Sequence, residues 1–176
     1  MYAQQMDRKD QIQAASALIA LGGNVGDVRA TFRKAIADLC EMAQAVLIAR
    51  SSDYATPPWG DENQLPFVNA CIEIRTSLDP HALLAVMHEV EQKFGRARDK
   101  ERRWGPRTLD LDLIACDDVS LRGPELTLPH PRLFERAFVL TPLAEIAPYR
   151  VIGGRTVNAA LACLSRQGIE RLPDID

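Results

Sequence analysis

Leu-Asp-Leu-Asp-Leu-Ile-Ala, residues 109–115, is the stretch that decides the fold. Leucine alternates with aspartate over its first five positions, and this period of two predicts a strand with one apolar and one polar face. Side chains at i and i+2 of a strand lie on the same face. We therefore expect Asp110 and Asp112 together on one face and the leucines on the other, toward the core.

Helices and further strands are predicted on the N-terminal side of this segment. Asp27 can cap a helix whose apolar residues recur at i, i+4, i+7 and i+11 from Phe32. Asp79 followed by Pro80 predicts the start of a second helix, and Gly95 predicts its end. The predicted strands are Ala17–Leu21, Val46–Tyr54 and a half-buried run of alternating residues 68–75.

The order of these elements is strand, helix, strand, strand, helix, strand. It predicts the α+β class with a ferredoxin-like βαββαβ core. From Pro129 onward, the pattern predicts additional short helices and strands packed against this core. Residues 1–16 are polar and lack the apolar segment of a signal peptide, so we expect a flexible N-terminal extension, with residues 17–176 forming a single domain.

The composition is ordinary for a globular protein, with 47% apolar and 26% charged residues. A net charge of −3 gives no global basic field that would favour nucleic acid or a membrane surface. No apolar run approaches the roughly 20 residues that span a bilayer. We therefore expect a cytoplasmic monomer without nucleic-acid or membrane partners. Four cysteines are predicted to be buried, reduced thiols: Cys40, Cys71, Cys116 and Cys163.

A basic segment directly precedes the two aspartates. Residues 96–107 contain five arginines and one lysine against two acidic residues, a local charge of +4 in a chain of −3. Arginine forks bind phosphate oxygens, and aspartates hold the Mg²⁺ between them, so the combination favours a polyphosphate–metal complex. Two alternatives remain open on this pattern: a solvated basic loop, and a solvated strand face that carries the aspartates.

Three other positions are candidates whose local patterns leave their role open. Trp104 lies among arginines and can stack on a flat ring or cover the loop. His130 lies between two prolines in an extended segment, where it could bind a phosphate or be structural. His88 and Glu91 are three residues apart on the second predicted helix and could be ordinary surface residues. The chain has neither GxxxxGK[ST] nor GxGxxG, which argues against a P-loop kinase and a dinucleotide-binding fold.

Residues 103–112, Arg-Trp-Gly-Pro-Arg-Thr-Leu-Asp-Leu-Asp, resemble the signature of the 6-hydroxymethyl-7,8-dihydropterin pyrophosphokinase family almost letter for letter. Four other segments agree in order and spacing: LGGNVGD at 21–27, TPPWG at 56–60, FVNA at 67–70 and LPHPRLFERAF at 128–138. The resemblance covers roughly residues 17–164. It implies transfer of diphosphate from ATP to the hydroxymethyl group of a reduced pterin, with release of AMP, a step of tetrahydrofolate biosynthesis.

The resemblance also implies roles for individual residues. Arg96, Arg107, Asp110 and Asp112 would be catalytic, and the two aspartates would be ligands of two Mg²⁺ ions bound with ATP. The implied ATP-binding residues are Leu84, His88, Glu91, Arg96, Arg98, Trp104, Arg107, Leu113, Thr127, His130 and Arg136. The implied pterin-binding residues are Thr56, Pro57, Pro58, Trp59, Phe67, Asn69, Trp104, Asp110 and Phe138, with rings stacked on the bicycle and Asn69 recognising its amide edge.

Two rival functions make different predictions. A Mg²⁺-dependent nucleotidyltransferase could use the same aspartates but would release pyrophosphate in place of AMP. A small RNA-binding module would bind RNA in a salt-sensitive manner and would be indifferent to Asp112→Asn. The predicted strands lack the aromatic set with which such modules stack bases, which disfavours this second rival.

Overall fold

The structure, a computed structural model, describes residues 14–58, 64–96 and 105–174. In chain order, its elements are β1 (Ala15–Gly23), α1 (Val28–Met42), β2 (Val46–Arg50), β3 (Tyr54–Thr56), β4 (Phe67–Thr76), α2 (Pro80–Lys93), β5 (Asp110–Cys116), β6 (Leu121–Arg122), β7 (Thr127–Leu128), a 3₁₀ helix (Leu133–Glu135), α3 (Ala137–Ile146), β8 (Val151–Ile152), β9 (Arg155–Thr156), α4 (Val157–Leu161) and β10 (Glu170–Arg171).

The main sheet is antiparallel, with the strand order β10-β3-β4-β1-β5, and β2 also pairs with β4. The order β2-β4-β1-β5, with α1 and α2 in the two crossovers, is that of a ferredoxin-like βαββαβ core. The predicted α+β class and element order are therefore confirmed, as are short helices and strands after β5.

The predicted helix boundaries are confirmed because they depend on local capping. The Asp27 carboxylate accepts a hydrogen bond from the Ala30 N–H at 3.0 Å at the start of α1. The Asp79 carboxylate likewise accepts hydrogen bonds from the His81 and Ala82 N–H groups in the first turn of α2. Gly95 follows α2 with a φ of +85°, the left-handed conformation that glycine adopts without steric cost.

The prediction of a half-buried strand over residues 68–75, which lie in β4, is wrong over its centre. Apolar side chains on one face of β4, such as Ile72, pack with α1 and α2. Cys71 on the opposite face is fully buried with Leu140 and Leu143 of α3. Because α3 covers this second face, the alternation in the sequence does not mark a solvent-exposed side there.

The prediction of one continuous strand over residues 46–54 is also wrong. β2 and β3 are separated by residues 51–53, which are buried and polar. Arg29 and Arg50 bind the Asp53 carboxylate at 2.8 and 2.7 Å, and Ser52 donates to Glu145. The Ser51 N–H still donates to the Cys71 carbonyl of β4, so these residues interrupt the strand while the chain stays beside β4.

The cysteine prediction is correct in part. All four cysteines are free thiols, and Cys71 and Cys116 are buried. Cys163 is exposed and Cys40 is half-buried, because both lie near the ends of helical segments at the periphery of the core. No helix in the described ranges is long and apolar enough to cross a membrane.

Candidate active site

Asp110 and Asp112 lie on the same face of β5, as the period-two pattern predicts. They pair in register with Gly22 and Ala20 of β1, and both carboxylates are partly accessible. The intervening Leu111 is buried in the core between the sheet and the first two helices. The strand therefore presents two carboxylates at one end of the central sheet while its leucine face anchors them.

Two guanidinium groups hold the Asp110 carboxylate. Arg96 Nη1 binds Oδ1, and Arg107 Nη1 binds Oδ2 at 2.8 Å. Burial alone raises the pKa of Asp110, but the charges and hydrogen bonds of Arg96 and Arg107 outweigh it and hold the pKa below its ordinary value. The Asp110 carboxylate is therefore kept ionised, and it holds the guanidinium groups of Arg96 and Arg107 next to each other.

Glu91 lies beneath this pair and is fully buried. Its Oε1 accepts hydrogen bonds from Arg96 Nη1 and from the backbone N–H of Leu111, the latter at 2.7 Å. A buried carboxylate is stable only when charged and hydrogen-bonding partners replace its water. Glu91 thus links α2 to β5 and fixes the position of Arg96.

A second ion pair forms at Asp112, where Arg136 Nη1 binds Oδ2 at 2.8 Å. The guanidinium carbon of Arg136 also lies 5.7 Å from the centre of the Phe138 ring. In the described residues, the side chains that bind the two aspartates are all arginines: Arg96, Arg107 and Arg136.

His130 is held by its backbone and one ring nitrogen. Its N–H donates to the Ile114 carbonyl at 2.8 Å, and its Nδ1 accepts from the Arg132 N–H at 3.1 Å. Burial lowers the pKa of His130, and the cationic Arg136 and Arg132 lower it further against the opposing effect of Asp112. The Nδ1 hydrogen bond places the proton of the neutral ring on Nε2.

A cleft of about 250 Å³, which we call the Asn69 cleft, opens on one side of the aspartates. Asn69 is buried, and its Nδ2 donates to Thr56 Oγ1 at 2.8 Å, which leaves Asn69 Oδ1 as an acceptor toward the cleft. The cleft is lined by Ala20, Leu21, Gly22, Thr56, Pro57, Phe67, Asn69, Arg96, Arg107, Asp110, Asp112, Arg136, Phe138 and Val139.

A second cleft of about 310 Å³, the His88 cleft, opens on the other side. It is formed by α2, β5 and the segment through β7 to His130. Its lining residues are Leu84, His88, Leu111, Asp112, Leu113, Gly123, Pro124, Glu125, Leu126, Thr127, His130 and Pro131. Asp112 lines both clefts, so the two spaces meet at this carboxylate.

Residues 18–148 match the model of the 7,8-dihydro-6-hydroxymethylpterin-pyrophosphokinase family. The chain belongs to this family. A 2-amino-4-hydroxy-6-hydroxymethyldihydropteridine pyrophosphokinase of Methylorubrum extorquens is 49% identical over 156 residues, which cover 89% of this chain and 98% of that protein. The protein of the same name from Bacillus subtilis is 46% identical over 130 residues, or 74% and 77% of the two chains.

A solved structure of the Plasmodium falciparum HPPK-DHPS A437G protein with SDX-DHP superposes with a TM-score of 0.68. The match covers 93% of this chain and 50% of that protein, so the chain spans half the length of this solved relative. At 14% identity the likeness concerns the fold alone.

Most of the residues implied by the family resemblance are brought together. The described residues expected at the pterin line the Asn69 cleft, apart from Pro58. Those expected at ATP are divided: Leu84, His88, Leu113, Thr127 and His130 line the His88 cleft, and Arg96, Arg107 and Arg136 line the Asn69 cleft. Pro58 is described but is not among the residues that line either cleft, and Glu91 lies beneath them. Trp59, Arg98 and Trp104 lie outside the described residues, so their expected contacts stay predictions.

Asn24, in the segment at residues 21–27, is buried and joins three parts of the site, and it was not predicted from the sequence. Its Nδ2 donates to Gln64 Oε1 and to the Leu65 carbonyl, both at 3.1 Å, and its Oδ1 accepts from the Arg107 N–H. One signal in the sequence could have identified it: Asn24 follows two glycines, and it is not the cap of the helix that begins at Val28.

The aspartate pair fits a divalent metal bound together with phosphates. Carboxylate oxygens are the ligands that Mg²⁺ prefers, and Mg²⁺ commonly takes one or two carboxylates with substrate phosphates and water completing its shell. The described residues contain no cluster of three or more histidine, cysteine or acidic side chains that could hold a metal without such additional ligands. A metal held by this pair would need further ligands besides the two carboxylates.

Proposed function

We propose that this family member transfers diphosphate from ATP to 6-hydroxymethyl-7,8-dihydropterin, producing AMP and the pterin diphosphate. The observation that carries the proposal is the meeting of two clefts at Asp112, between Arg107, Arg136 and Asp110. One cleft suits a flat heterocycle and the other a nucleoside. A transfer reaction needs its two substrates to meet at one charged centre, and this arrangement supplies that centre.

The Asn69 cleft has the chemistry of a pterin site. Phe67 and Phe138 offer aromatic surfaces on which a planar bicycle can stack. Asn69 Oδ1 would accept a hydrogen bond from the rim of the pterin while its Nδ2 donates to Thr56. A pocket with apolar walls and a few fixed polar groups orients such a ligand, so the hydroxymethyl group would point toward the aspartates.

The His88 cleft would hold the adenosine of ATP, and its triphosphate would extend past Asp112 toward Asp110. Leu84, Leu113 and Thr127 provide a largely apolar wall with one hydroxyl. His130 at the same cleft can donate from Nε2 to a phosphate oxygen, since its Nδ1 is already an acceptor. This pose brings the β-phosphorus to the junction of the two clefts.

The reaction would be an in-line displacement at the β-phosphorus. The pterin hydroxyl oxygen forms a bond to this phosphorus, the bond from phosphorus to the oxygen bridging the α- and β-phosphates breaks, and AMP leaves. The hydroxyl proton passes to solvent. Arg107, Arg96 and Arg136 would neutralise charge on the phosphate oxygens, which supplies electrostatic stabilisation of the transition state.

Asp110 and Asp112 would hold the two Mg²⁺ ions that we propose as the cofactor. Bound there, Mg²⁺ would neutralise phosphate charge and orient the triphosphate. Arg96 and Arg107 bind the two oxygens of Asp110. We expect these guanidinium groups to turn to the phosphates when the nucleotide and metal bind.

Product analysis tests the proposed function. The protein is mixed with ATP, Mg²⁺ and 6-hydroxymethyl-7,8-dihydropterin, and the nucleotides and pterins are separated and quantified. We expect AMP and pterin diphosphate in equal amounts, a large decrease of both in Asp112→Asn, and no decrease in the matched variant of the exposed Asp118, Asp118→Asn. Release of pyrophosphate or ADP, or turnover that does not depend on the pterin, would contradict the proposal.

A titration with Mg²⁺ tests the metal ligands separately. Removal of metal with a chelator should abolish AMP formation, and added Mg²⁺ should restore it. Asp112→Asn should raise the Mg²⁺ concentration for half-maximal residual turnover by roughly tenfold to a hundredfold. An unchanged Mg²⁺ requirement would remove Asp112 from the metal site while leaving the reaction intact.

A further inference from the structure

The C-terminal residues beyond α4 lie against the outer side of the Asn69 cleft. β10 pairs antiparallel with β3, so that Glu170 lies opposite Ala55 and Arg171 opposite Tyr54. β3 ends at Thr56, whose side chain lines the cleft and binds Asn69. These C-terminal residues lie beyond residue 148, where the family match ends, and yet they form the strand next to the cleft wall.

Polar contacts fix this strand to the segment that precedes β3. The Leu172 N–H donates to the Asp53 carbonyl at 2.8 Å, and Arg171 Nε donates to Ser52 Oγ at 2.7 Å. Arg29 of α1 donates to the Pro173 carbonyl at 2.6 Å while it binds the buried Asp53 carboxylate. The start of β3 is therefore held from the C-terminal strand and from α1 at once.

A close packing contact adds to these hydrogen bonds. Gly168 occupies a turn closed by the Ile169 N–H and the Arg166 carbonyl, and its φ is +77°. A Cβ added at Gly168 would lie 2.7 Å from Cγ of Pro57 and 3.2 Å from its Cδ. Pro57 lines the Asn69 cleft, so the turn presses directly on the back of the cleft wall.

We propose that residues 168–173, the C-terminal brace, are a positioning element that sets the affinity of the enzyme for its pterin. This inference rests on the proposed place of the pterin in the Asn69 cleft. The brace contacts Ala55 and Pro57 on either side of Thr56, and Thr56 in turn orients the amide of Asn69. Its described contacts fall on residues around β3 and on Arg29 of α1, and none of these residues lines the His88 cleft. The brace therefore acts on pterin binding and not on nucleotide binding.

The chain offers a matched pair of glycines for the test. Gly154 has a φ of +84°, close to that of Gly168, but a Cβ there meets nothing within 4 Å. Gly168→Ala and Gly154→Ala therefore impose similar backbone strain, and only the first displaces Pro57. We expect Gly168→Ala to raise the KM for pterin roughly tenfold with the KM for ATP unchanged, whereas Gly154→Ala leaves both unchanged. Thermal unfolding checks that both variants are folded.

Arg171→Ala provides a second route if Gly168→Ala does not fold. It removes the hydrogen bond to Ser52 without adding bulk, and Arg166→Ala is its control because the Arg166 side chain is exposed. The same selective increase in the KM for pterin is expected, of smaller size. An equal increase in both KM values, or a loss of kcat alone, would reduce the brace to a general structural element and overturn the proposal.

Asn69→Ala separates failure of this inference from failure of the site assignment. If Asn69→Ala raises the KM for pterin and neither brace variant does, the brace proposal is wrong and the Asn69 cleft stands. If Asn69→Ala also leaves pterin binding unchanged, the pterin binds elsewhere and both assignments fall. AMP formation by the wild type tests the reaction itself and is independent of either result.

Discussion

Asn24 and Arg107 are joined by two reciprocal hydrogen bonds. The Asn24 N–H donates to the Arg107 carbonyl, and the Arg107 N–H donates to Asn24 Oδ1, both at 2.9 Å. The amide nitrogen of the same side chain reaches Gln64 and Leu65, which precede β4. One buried side chain thus connects the glycine turn after β1, the segment before β4 and the arginine that binds Asp110.

We predict that Asn24→Ala destabilises the protein and slows turnover. The Arg107 N–H and the Leu65 carbonyl would lose their partner, and an unsatisfied buried polar group costs about 1–3 kcal/mol. Urea denaturation should show a loss of this size in the free energy of unfolding, with kcat reduced because Arg107 is no longer held. Asn158→Ala, at an exposed position of α4, is the control. Equal stability of the two variants would contradict the prediction.

The sequence predicts the parts of the fold that depend on local interactions. The caps at Asp27 and Asp79 and the left-handed Gly95 are encoded within a few residues of the helix ends. The two faces of β5 follow from its alternation in the same way. These features were predictable because neither capping nor the period of two requires knowledge of distant contacts.

Distant partners explain what the sequence did not predict. The break between β2 and β3 depends on Arg29 and Glu145, which lie far from Ser52 and Asp53 in the chain. The burial of Cys71 depends on α3, and the C-terminal brace depends on a turn at Gly168 that packs against Pro57. The cleft residues were predictable through the family resemblance, whereas spacing alone indicates only the aspartate pair and the arginines.

Substitution of Glu91 tests its role as the buried anchor of Arg96 and β5. Glu91→Ala removes the buried acceptor of both Arg96 and the Leu111 N–H, and breaking one partner of a buried ion pair costs about 3–5 kcal/mol. The remaining pair with Asp110 should reduce this cost, so we expect about 3 kcal/mol by denaturant unfolding. Glu91→Gln keeps the acceptor for the Leu111 N–H and should lose less.

Glu89→Ala is the matched control, because Glu89 is exposed on the same helix. It should change the free energy of unfolding by less than about 0.5 kcal/mol, as is usual for surface substitutions. If Glu91→Ala were no more destabilising than Glu89→Ala, the anchoring role of Glu91 would be wrong.

Arg107 tests the proposed clamp on the phosphates. Its guanidinium lines the Asn69 cleft and pairs with Asp110 at 2.8 Å, so it lies where charge would develop on the transferring group. Arg107→Ala should lower kcat on the order of a hundredfold, with a smaller change in the KM for ATP, because the interaction strengthens in the transition state. Single-turnover measurements would separate this effect from product release.

Arg122→Ala controls for the loss of a positive charge, since Arg122 is exposed on β6. Its kcat should equal that of the wild type at moderate ionic strength. An Arg107→Ala enzyme with unchanged kcat and a raised KM for ATP would instead assign Arg107 to uniform binding of the nucleotide.

Tyr54 makes the free energy of unfolding depend on pH in the alkaline range. Its hydroxyl donates to Glu145 Oε2 at 2.8 Å, and burial, this hydrogen bond and the Glu145 charge raise the pKa of Tyr54 from 10.0 to about 12. The unfolded chain releases this proton near pH 10 and the folded chain near pH 12, so the contribution to stability is complete below pH 10 and is lost as the pH rises to 12.

Tyr54→Phe should flatten the pH dependence of the free energy of unfolding over this interval, whereas Tyr149→Phe, at an 82% exposed position, should not. Identical alkaline profiles for Tyr54→Phe and the wild type would show that the hydrogen bond to Glu145 does not hold the Tyr54 proton.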